Sequence, residues 1–373
     1  MLLVIGAGPY GIATAARAIE QGIETMVVGQ PMGFWYENMP EGMYLRSGPD
    51  WHLDAAGVHT FEAFLADRRL TAKEIDPVPI GVFLDYAAWF QREKGIVVRP
   101  DLVTSVVRTD TGFRVDFEQG QPVTVESVVA APGIRHFQQL PPWAGSVSPD
   151  MAGHTCDVVR FHHLDGARVL IVGGRQSAYE WAALAGEHGA ERVDIVHRHD
   201  IPRFDRVSWR FADAYLDCTL ATPGWWRNLH ASERDRISTE FWAAGRLTLE
   251  WWLTPRLAGE RYHQWPGNSV ARVTAGPDGA ARVSLASEDE LTVDRIIFAT
   301  GYKADLASVP YLAGVLEEIR TEDGFPVLDE AFQSSVGRLY FPGFSATRDF
   351  GPFFGFTKGC PAAASLIVDD LCR

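Results

Sequence analysis

Two glycine-rich turns, each placed between a strand and a helix, constrain this chain more than any other feature of its sequence. The first turn follows the apolar run Leu2–Ile5 and has glycines in the spacing G-x-G-x-x-G, at Gly6, Gly8 and Gly11. A helix of small residues and a second apolar run at 23–28 come next. Glycines in this spacing let the backbone turn tightly and approach a pyrophosphate, which lies at the amino end of the helix. In this strand–helix–strand context, the motif indicates a dinucleotide site.

The end of the second strand departs from the usual pattern. Dinucleotide sites present an acid there to the ribose hydroxyls, whereas this chain has Gly29 and Gln30. The Gln30 side chain can hydrogen-bond a hydroxyl but supplies no charge. The sequence therefore predicts adenosine binding with an amide in place of the acid.

A second turn of the same kind lies in the middle of the chain. A strand over 169–172 leads into Gly173-Gly-Arg-Gln-Ser-Ala178, a helix over about 177–188 and a strand over 192–196. Arg175 stands where the pattern has its middle glycine, which lets the backbone lie against the pyrophosphate. Two interpretations of Arg175 stay open. It is either a charged clamp that folds back onto the phosphates or a surface ion pair that leaves the nucleotide more loosely held.

Basic residues follow the second strand of this unit, at His197, Arg198 and His199. A cation at this place complements a 2′-phosphate, so Arg198 favours NADPH over NADH. Two loops imply two dinucleotides, one kept as a prosthetic group and one exchanged. Flavin-dependent redox enzymes use such a pair, in which an exchangeable nicotinamide nucleotide delivers hydride to a bound flavin.

Composition narrows the function. The net charge of −14 over 373 residues argues against a nucleic-acid partner, because phosphate binding relies on clustered Lys and Arg. The N-terminal apolar run is too short for a signal peptide, and no apolar stretch approaches membrane length, so we expect a cytoplasmic chain with no membrane partner. The 4 cysteines form no Cys-x-x-Cys pair, which predicts free thiols and no redox dithiol. No residues show metal-ligand spacing.

Together with the two glycine turns, further motifs characterise the chain. In chain order they are Gly6-Ala-Gly8-Pro9-Tyr10-Gly11, Gly33-Phe-Trp35, Gly173–Ala178, Phe298-Ala-Thr300-Gly301-Tyr-Lys-Ala-Asp305, Leu339-Tyr-Phe-Pro-Gly343-Phe344 and the segment 351–361. With them the sequence resembles, over nearly its whole length, the class B single-component flavoprotein monooxygenases, which include flavin-containing monooxygenases and bacterial N-hydroxylases. The segment Glu41-Gly-Met-Tyr-Leu-Arg46-Ser47 is similar to bacterial relatives that hydroxylate lysine, ornithine or urate. This similarity favours a nitrogen-containing substrate.

The resemblance implies that the first loop binds FAD and the second binds NADPH. The expected cofactor-binding residues are Gly6, Gly8, Pro9, Tyr10, Gly11, Gln30, Trp35, Arg46, Ser47, Gly173, Gly174, Arg175, Gln176, Ser177, Arg198, Thr300, Gly301, Gly343 and Phe354.

The implied fold class is α/β, with two Rossmann-like dinucleotide-binding domains and the NADPH domain inserted in the FAD domain. The FAD domain would comprise residues 1–155 and 295–373, and the NADPH domain residues 156–294. A helical insertion is expected over about 204–265, which contains seven of the 12 tryptophans. This insertion is either a substrate lid over the flavin or ordinary aromatic packing, in a core or at a homodimer face.

In the class that the chain resembles, reduced flavin reacts with oxygen to give a C4a-hydroperoxide, which bound NADP⁺ protects. The side chains expected nearest the flavin are Trp51, Asp54 and Asp349. The sequence thus predicts an FAD- and NADPH-dependent monooxygenase that uses molecular oxygen on a small substrate, with N-hydroxylation favoured. Two alternatives remain: a flavoprotein reductase or oxidase that inserts no oxygen, and a non-catalytic flavoprotein sensor, suggested by Arg175 and Gly29.

Overall fold

Two parallel β-sheets organise the chain, one behind each glycine turn. The structure is a computed structural model that describes residues 1–276 and 279–373. The strands up to the first crossing are β1 Leu2–Ile5, β2 Thr25–Val28, β3 Tyr44–Leu45, β4 Val78–Pro79, β5 Val98–Arg99, β6 Val103–Thr109, β7 Gly112–Phe117, β8 Val123–Val125 and β9 Ser127–Ala130. Those that follow are β10 Ala152–His154, β11 Arg168–Val172, β12 Arg192–Val196, β13 Arg203–Asp205, β14 Thr248–Glu250, β15 Tyr262–Trp265, β16 Val270–Ala275, β17 Ala281–Leu285, β18 Glu290–Val293, β19 Arg295–Phe298, β20 Thr321–Glu322, β21 Phe325–Pro326 and β22 Leu339–Tyr340. The α-helices are α1 Pro9–Glu20, α2 Gly33–Glu37, α3 Phe61–Asp67, α4 Ile80–Glu93, α5 Gln176–Glu187, α6 Asp213–Ala221, α7 Trp225–Asn228, α8 Ala231–Gly245, α9 Leu253–Arg256, α10 Thr347–Phe350 and α11 Cys360–Leu371.

The first sheet joins the two ends of the chain. Its strand order is β22-β9-β1-β2-β5, and neighbouring strands are parallel. All four residues of β1 are buried, as expected for a central strand covered on both faces. Because β22 pairs with β9, the C-terminal segment completes the sheet that the N-terminal segment begins.

The second sheet lies between those two segments in sequence. Its order is β10-β19-β11-β12-β15, again with parallel neighbours. The strands at both crossings, β10 and β19, pair with each other inside this sheet. Crossings at 155/156 and 294/295 would put both strands in the first domain, whereas their pairing in the second sheet places the crossings before Ala152 and after Phe298.

The two units repeat one plan. In each, a strand leads through a glycine turn to a helix and a parallel strand. A three-stranded antiparallel sheet then precedes the strand that returns beside the first one: β6–β8 precede β9, and β16–β18 precede β19. The repeat shows that both units are Rossmann-like and confirms the expected fold class. Among the described residues, no helix is long and apolar enough to cross a bilayer.

Helix α1 begins within the first glycine turn and packs closely against its neighbours. Pro9 occupies its first turn, where its fixed φ suits the helix and its missing N–H costs nothing. Small residues in the middle of the helix are buried and pack against the C-terminal helix α11. The helix ends at Gln21, and Gly22 follows with a φ of 74°. This packing fixes the amino end of α1 against the sheet.

The tryptophan-rich segment forms helices α6 to α9. Trp209, Trp226 and Phe241 lie in the same buried core as the first sheet. The indole of Trp226 donates to the Arg348 carbonyl oxygen at 3.0 Å, and the Tyr215 ring stacks on Phe353 with centroids 5.1 Å apart. These contacts match the aromatic-packing interpretation, and they join the insertion to the C-terminal part of the first unit.

Candidate functional site

The first glycine turn has an open space at its centre and tight packing on either side. A Cβ on Gly6, whose φ is 102°, would overlap the Ala131 carbonyl oxygen, and a Cβ on Gly11 would overlap the Gly6 carbonyl oxygen. A Cβ on Gly8 would meet nothing within 4 Å. Gly8 is also the N-cap of α1 and provides no side-chain cap, so backbone N–H groups of the first turn remain as donors for an anion. This geometry fits the pyrophosphate of FAD.

The C-terminal segment contacts this turn through Tyr10. The Tyr10 hydroxyl lies 2.7 Å from the Phe354 carbonyl oxygen and 2.8 Å from that of Phe356. Burial raises the pKa of this phenol, so the hydroxyl keeps its proton. Gly343, with a φ of 82°, brings its backbone against the Tyr10 ring, where a Cβ would lie 3.1 Å from Cδ2. The Phe354 side chain is buried against Phe332 and Phe350, so its backbone reaches Tyr10 while its ring belongs to the core.

The segment after β2 returns to the glycine turn. The Met32 N–H donates to the Ala7 carbonyl oxygen at 2.9 Å, which places this segment beside the turn. Gln30 is exposed, and a Cβ on Gly33 would lie 2.9 Å from its Cβ. Trp35 is half-buried with its ring 4.8 Å from that of Phe83. Gln30 is therefore an exposed amide close to the turn, and Trp35 packs against Phe83.

The second glycine turn is the structural equivalent of the first. The Gly6 N–H donates to the Val28 carbonyl oxygen and the Gly173 N–H to that of Val196, each at 2.9 Å. Gly173 has a φ of 137°, and a Cβ there would overlap the Ala299 carbonyl oxygen. Arg175 is the N-cap of α5, with φ −112° and ψ −173°, where α1 has Gly8 with φ −82° and ψ −174°. The second turn therefore presents the same backbone to a ligand, with one added side chain.

Side chains at the end of β12 cover this second turn. A Cβ on Gly174 would lie 2.5 Å from the His197 Cβ and 2.6 Å from His199 Nε2. This ring nitrogen of His199 is buried and has no hydrogen-bond partner among the described residues. Arg198, between the two histidines, is exposed. The strand end therefore lies on the glycine turn and leaves a cation and an unused ring nitrogen beside it.

Arg175 takes neither of its two expected positions. Its guanidinium lies over the Trp242 ring, 3.9 Å from the centroid, and the described residues give it no acidic partner. Burial, and then the charge of Arg198, lower its pKa. The ion-pair interpretation therefore lacks a carboxylate, whereas the clamp only requires the guanidinium to leave a ring contact worth about 0.5–1 kcal/mol at exposed sites.

The remaining residues expected around the second nucleotide support the backbone or face solvent. Gln176 donates to Glu180 at 3.2 Å and accepts from the Glu250 N–H at 3.1 Å, and Ser177 is exposed. The Thr300 hydroxyl donates to the Gln139 carbonyl oxygen. The Gly301 carbonyl oxygen accepts from the Gln139 N–H at 2.9 Å. Thr300 and Gly301 thus tie together the two crossings of the chain.

Arg46 connects the first unit to the insertion. Its Nε donates to Glu250 at 3.0 Å, and its two terminal nitrogens donate to the carbonyl oxygens of Gly245 and Thr248. The guanidinium also lies 5.0 Å from the Trp209 ring centroid. All of its nitrogens have protein partners, so the structure gives Arg46 an anchoring position. Ser47, beside it, is half-buried.

The three side chains expected nearest the flavin lie in dense surroundings. Trp51 is buried and meets the rings of Trp209 and Phe356, with centroids 6.0 and 6.4 Å away. The carboxylate of Asp349 is buried and accepts the Leu328 N–H at 2.7 Å. Trp51 thus lies where the insertion meets the C-terminal segment, and Asp349 fixes a neighbouring loop.

Asp54 holds a loop and a helix end together. Its carboxylate, 1% exposed, pairs with Lys94 at 2.7 Å and accepts the N–H groups of Ala56, Val58 and His59 at 3.2, 3.0 and 2.7 Å. Burial alone would raise the pKa of Asp54, but the Lys94 and backbone hydrogen bonds outweigh burial and hold the pKa below its usual value. Asp54 is therefore ionised and fully engaged.

The structure adds residues that the sequence reading did not single out. Trp242 from the last turn of α8 and Arg246 just after this helix lie beside the second glycine turn, because the Trp242 ring meets Arg175 and Arg246. The tryptophan cluster was visible in the sequence, but periodicity cannot show that one of its members faces a loop 67 residues earlier. No group of acids, histidines and cysteines among the described residues could hold a metal ion.

Comparisons with known proteins agree with this geometry. The family model "Pyridine nucleotide-disulphide oxidoreductase" matches residues 3–209. The FAD-dependent urate hydroxylase of Xanthomonas campestris is 28% identical over 142 residues, which are 36% of this chain. The match spans only 30% of that relative's length.

Two solved structures share the whole fold. The ornithine N-hydroxylase of Kutzneria sp. 744, solved with reduced FAD, NADP⁺ and L-ornithine, superposes with a TM-score of 0.81 at 16% identity, covering 100% of this chain and 98% of that one. L-lysine 6-monooxygenase from Pseudomonas syringae gives a TM-score of 0.77 at 20% identity, covering 100% and 99%. The fold expected from the sequence motifs is thus the fold of flavin-dependent N-hydroxylases.

Proposed function

Because this chain belongs to the pyridine nucleotide-disulphide oxidoreductase family, whose model covers more than half of it, we propose that it is an FAD- and NADPH-dependent monooxygenase. The observation that carries the proposal is the pair of equivalent glycine turns, one with open space at Gly8 and one flanked by unpaired arginines. FAD would occupy the first unit, built from both ends of the chain, and NADPH the second.

The described cysteines disfavour electron transfer through a protein dithiol. Cys156, Cys218, Cys360 and Cys372 are all free thiols, and Cys156 and Cys360 are buried. Burial raises the pKa of Cys156 and of Cys360, which disfavours the reactive thiolate. An electron acceptor other than a protein dithiol is needed, and molecular oxygen meets that need.

Each part of the chain then has a distinct task. The flavin, when bound, supplies hydride acceptance and oxygen activation. The amide-lined turn at Gly8 binds its pyrophosphate, and Tyr10 fastens the C-terminal segment over that turn. Arg198 binds the 2′-phosphate of NADPH. Trp51, Trp209 and Phe356 form an aromatic wall that excludes water where the insertion meets the first unit.

A small nitrogen-containing substrate is the class that the similar proteins favour, since their names specify ornithine, lysine and urate. We propose N-hydroxylation of such a substrate with molecular oxygen in the cytoplasm, where NADPH is available. Asp54 and Asp349 act in this proposal as loop-stabilising residues, because protein groups already occupy their carboxylates.

The test has two stages. Purified enzyme is first mixed with NADPH without oxygen, and the loss of flavin absorbance is followed. Oxygenated buffer with ornithine, lysine or urate is then added, and hydroxylated product and hydrogen peroxide are counted per NADPH. We expect rapid reduction and, with one substrate class, more product than peroxide. Rapid reduction followed by peroxide alone, together with fast electron transfer to a disulfide or quinone, would support the reductase or oxidase alternative. No reduction by either nicotinamide would support the sensor.

Nucleotide selectivity gives a separate prediction. Arg198→Ala is expected to weaken NADPH binding by about 1.5–3 kcal/mol, the range for a lost hydrogen bond to a charged group, and to leave NADH nearly unchanged. The measurement is the dependence of the anaerobic reduction rate on each nucleotide. The exposed Arg236, paired with Glu233 at 2.7 Å on α8, gives the control Arg236→Ala. Equal losses for NADPH and NADH in Arg198→Ala would place the selectivity elsewhere.

A further inference from the structure

Three arginines gather at the second glycine turn without an acid to balance them. They are Arg175 from the turn, Arg198 from the end of β12, and Arg246 just after α8 of the insertion. Among the residues that the structure describes, none of the three has a carboxylate partner. Elsewhere on the insertion arginines do have such partners, as Arg236 has with Glu233 and Glu240. Clustered cations without anions indicate an anion-binding site.

The Trp242 ring brings two of these arginines together. Arg175 lies 3.9 Å and Arg246 lies 4.4 Å from its centroid. An aromatic face can hold a guanidinium without a counter-ion because of the electrostatic attraction of the ring. Trp242 therefore holds both cations beside each other without an acid.

Electrostatics show that these charges act on one another. Burial, followed by the charges of Arg175 and Arg46, lowers the pKa of Arg246 to about 10. Arg46 has its own partner in Glu250, so it needs no further anion. Arg246 thus lies close enough to both Arg175 and Arg46 for their charges to act on it.

We propose that Arg246 and Trp242, carried by the insertion, complete the binding site for the pyrophosphate of the nicotinamide nucleotide. This inference rests on the proposed function, because it assigns the nucleotide to the second turn. Arg175 stands at the middle-glycine position, where the pyrophosphate approaches the backbone, and Arg246 is its neighbour across Trp242. Arg198, at the strand end, binds the 2′-phosphate. The insertion therefore contributes two side chains to the nucleotide site.

The proposal predicts different losses of nucleotide affinity for the pyrophosphate site and the 2′-phosphate site. The pyrophosphate is common to NADPH and NADH, whereas the 2′-phosphate belongs to NADPH alone. Arg246→Met, which keeps much of the aliphatic side chain, is therefore expected to weaken both nucleotides by about the same factor. A lost hydrogen bond to a charged group corresponds to a factor of about ten to one hundred. Arg246→Lys keeps the charge without the planar fork and is expected to fall between Arg246→Met and the parent.

The experiment uses the FAD-loaded enzyme. Affinity for NADP⁺ is measured by calorimetric titration. The second-order rate constants of anaerobic flavin reduction by NADPH and by NADH give the comparison even where binding is weak. The matched control is Arg236→Met, the same substitution on the same insertion helix at an acid-paired arginine, which is expected to change these values less than twofold. Thermal unfolding is recorded with and without NADP⁺.

A structural role would give a different pattern. Because Arg246 lies among like charges, Arg246→Met is expected to leave the unfolding midpoint without NADP⁺ unchanged or higher, and to reduce the rise that NADP⁺ produces. Unchanged affinity for both nucleotides, a loss confined to NADPH, or a lowered midpoint with a normal NADP⁺ response would each overturn the assignment. A parent enzyme that binds no NADP⁺ would instead overturn the proposed function.

Discussion

Gly8→Val is expected to give a folded protein without flavin. The valine Cβ would meet no atom within 4 Å, and the Gly8 backbone, with φ −82° and ψ −174°, is one that valine adopts easily. The protein itself therefore has room for the side chain. The added methyl groups would occupy the space in which the pyrophosphate must approach the amides of α1, so flavin binding should be lost almost completely.

Two comparisons make this result specific. Gly81→Val places the same side chain in α4 at a glycine where a Cβ also meets nothing within 4 Å, and it should keep its flavin. Gly11→Val would force a Cβ into the Gly6 carbonyl oxygen, so it should fail to fold. The measurements are visible flavin absorbance per protein and the circular dichroism spectrum. A folded Gly8→Val protein with full flavin content would show that FAD does not use this turn.

The glycine turns could be predicted because their requirements are local. Gly6 and Gly173 need a left-handed backbone and have no room for a Cβ beside Ala131 and Ala299. These requirements are visible in the sequence as glycines at fixed spacing within a dozen residues. Because this glycine pattern occurs twice, the sequence predicts the fold class, and the two equivalent sheets confirm it.

The surroundings of the turns could not be predicted in the same way. The contact between Arg175 and Trp242 joins residues far apart in the chain, and so does the pair of Arg46 with Glu250. The sequence marks Arg175, Arg46 and the tryptophan-rich segment, but it does not show which residues they contact. Whether a cation is paired depends on tertiary packing, so the unbalanced cluster became visible only in the structure.

Asp54 is a second example of a residue whose surroundings the sequence does not predict. Asp54 lies near sequence motifs that are expected to reach the flavin. Proximity along the chain, however, does not show where a side chain points. In the structure three backbone N–H groups and Lys94 surround it. A carboxylate so engaged stabilises a loop, and it has no free oxygen lone pair aimed at a substrate.

Asp54→Ala is accordingly expected to cost about 3–5 kcal/mol of unfolding free energy, the range for breaking a buried ion pair. Lys94 would keep Glu20 as a partner, but the N–H groups of Ala56, Val58 and His59 would lose their acceptor. Denaturant unfolding measures the loss, with the exposed Asp85 on α4 giving the control Asp85→Ala, which should stay within about 0.5 kcal/mol.

The acid side of the stability profile provides an independent check on the same residue. The folded-state pKa of Asp54 is lowered, so its contribution is fully present above the unfolded-state pKa of about 4 and is lost as the pH falls through the lower folded-state value. The stability difference between the parent and Asp54→Ala should therefore be constant near neutral pH and shrink below about pH 4. A catalytic carboxylate would behave differently: its removal would lower kcat while the unfolding free energy and its pH dependence stayed close to those of the parent. Normal stability with a large loss of kcat would thus return Asp54 to the reacting centre, whereas reduced stability with kcat preserved below the unfolding temperature would show that it only stabilises its loop.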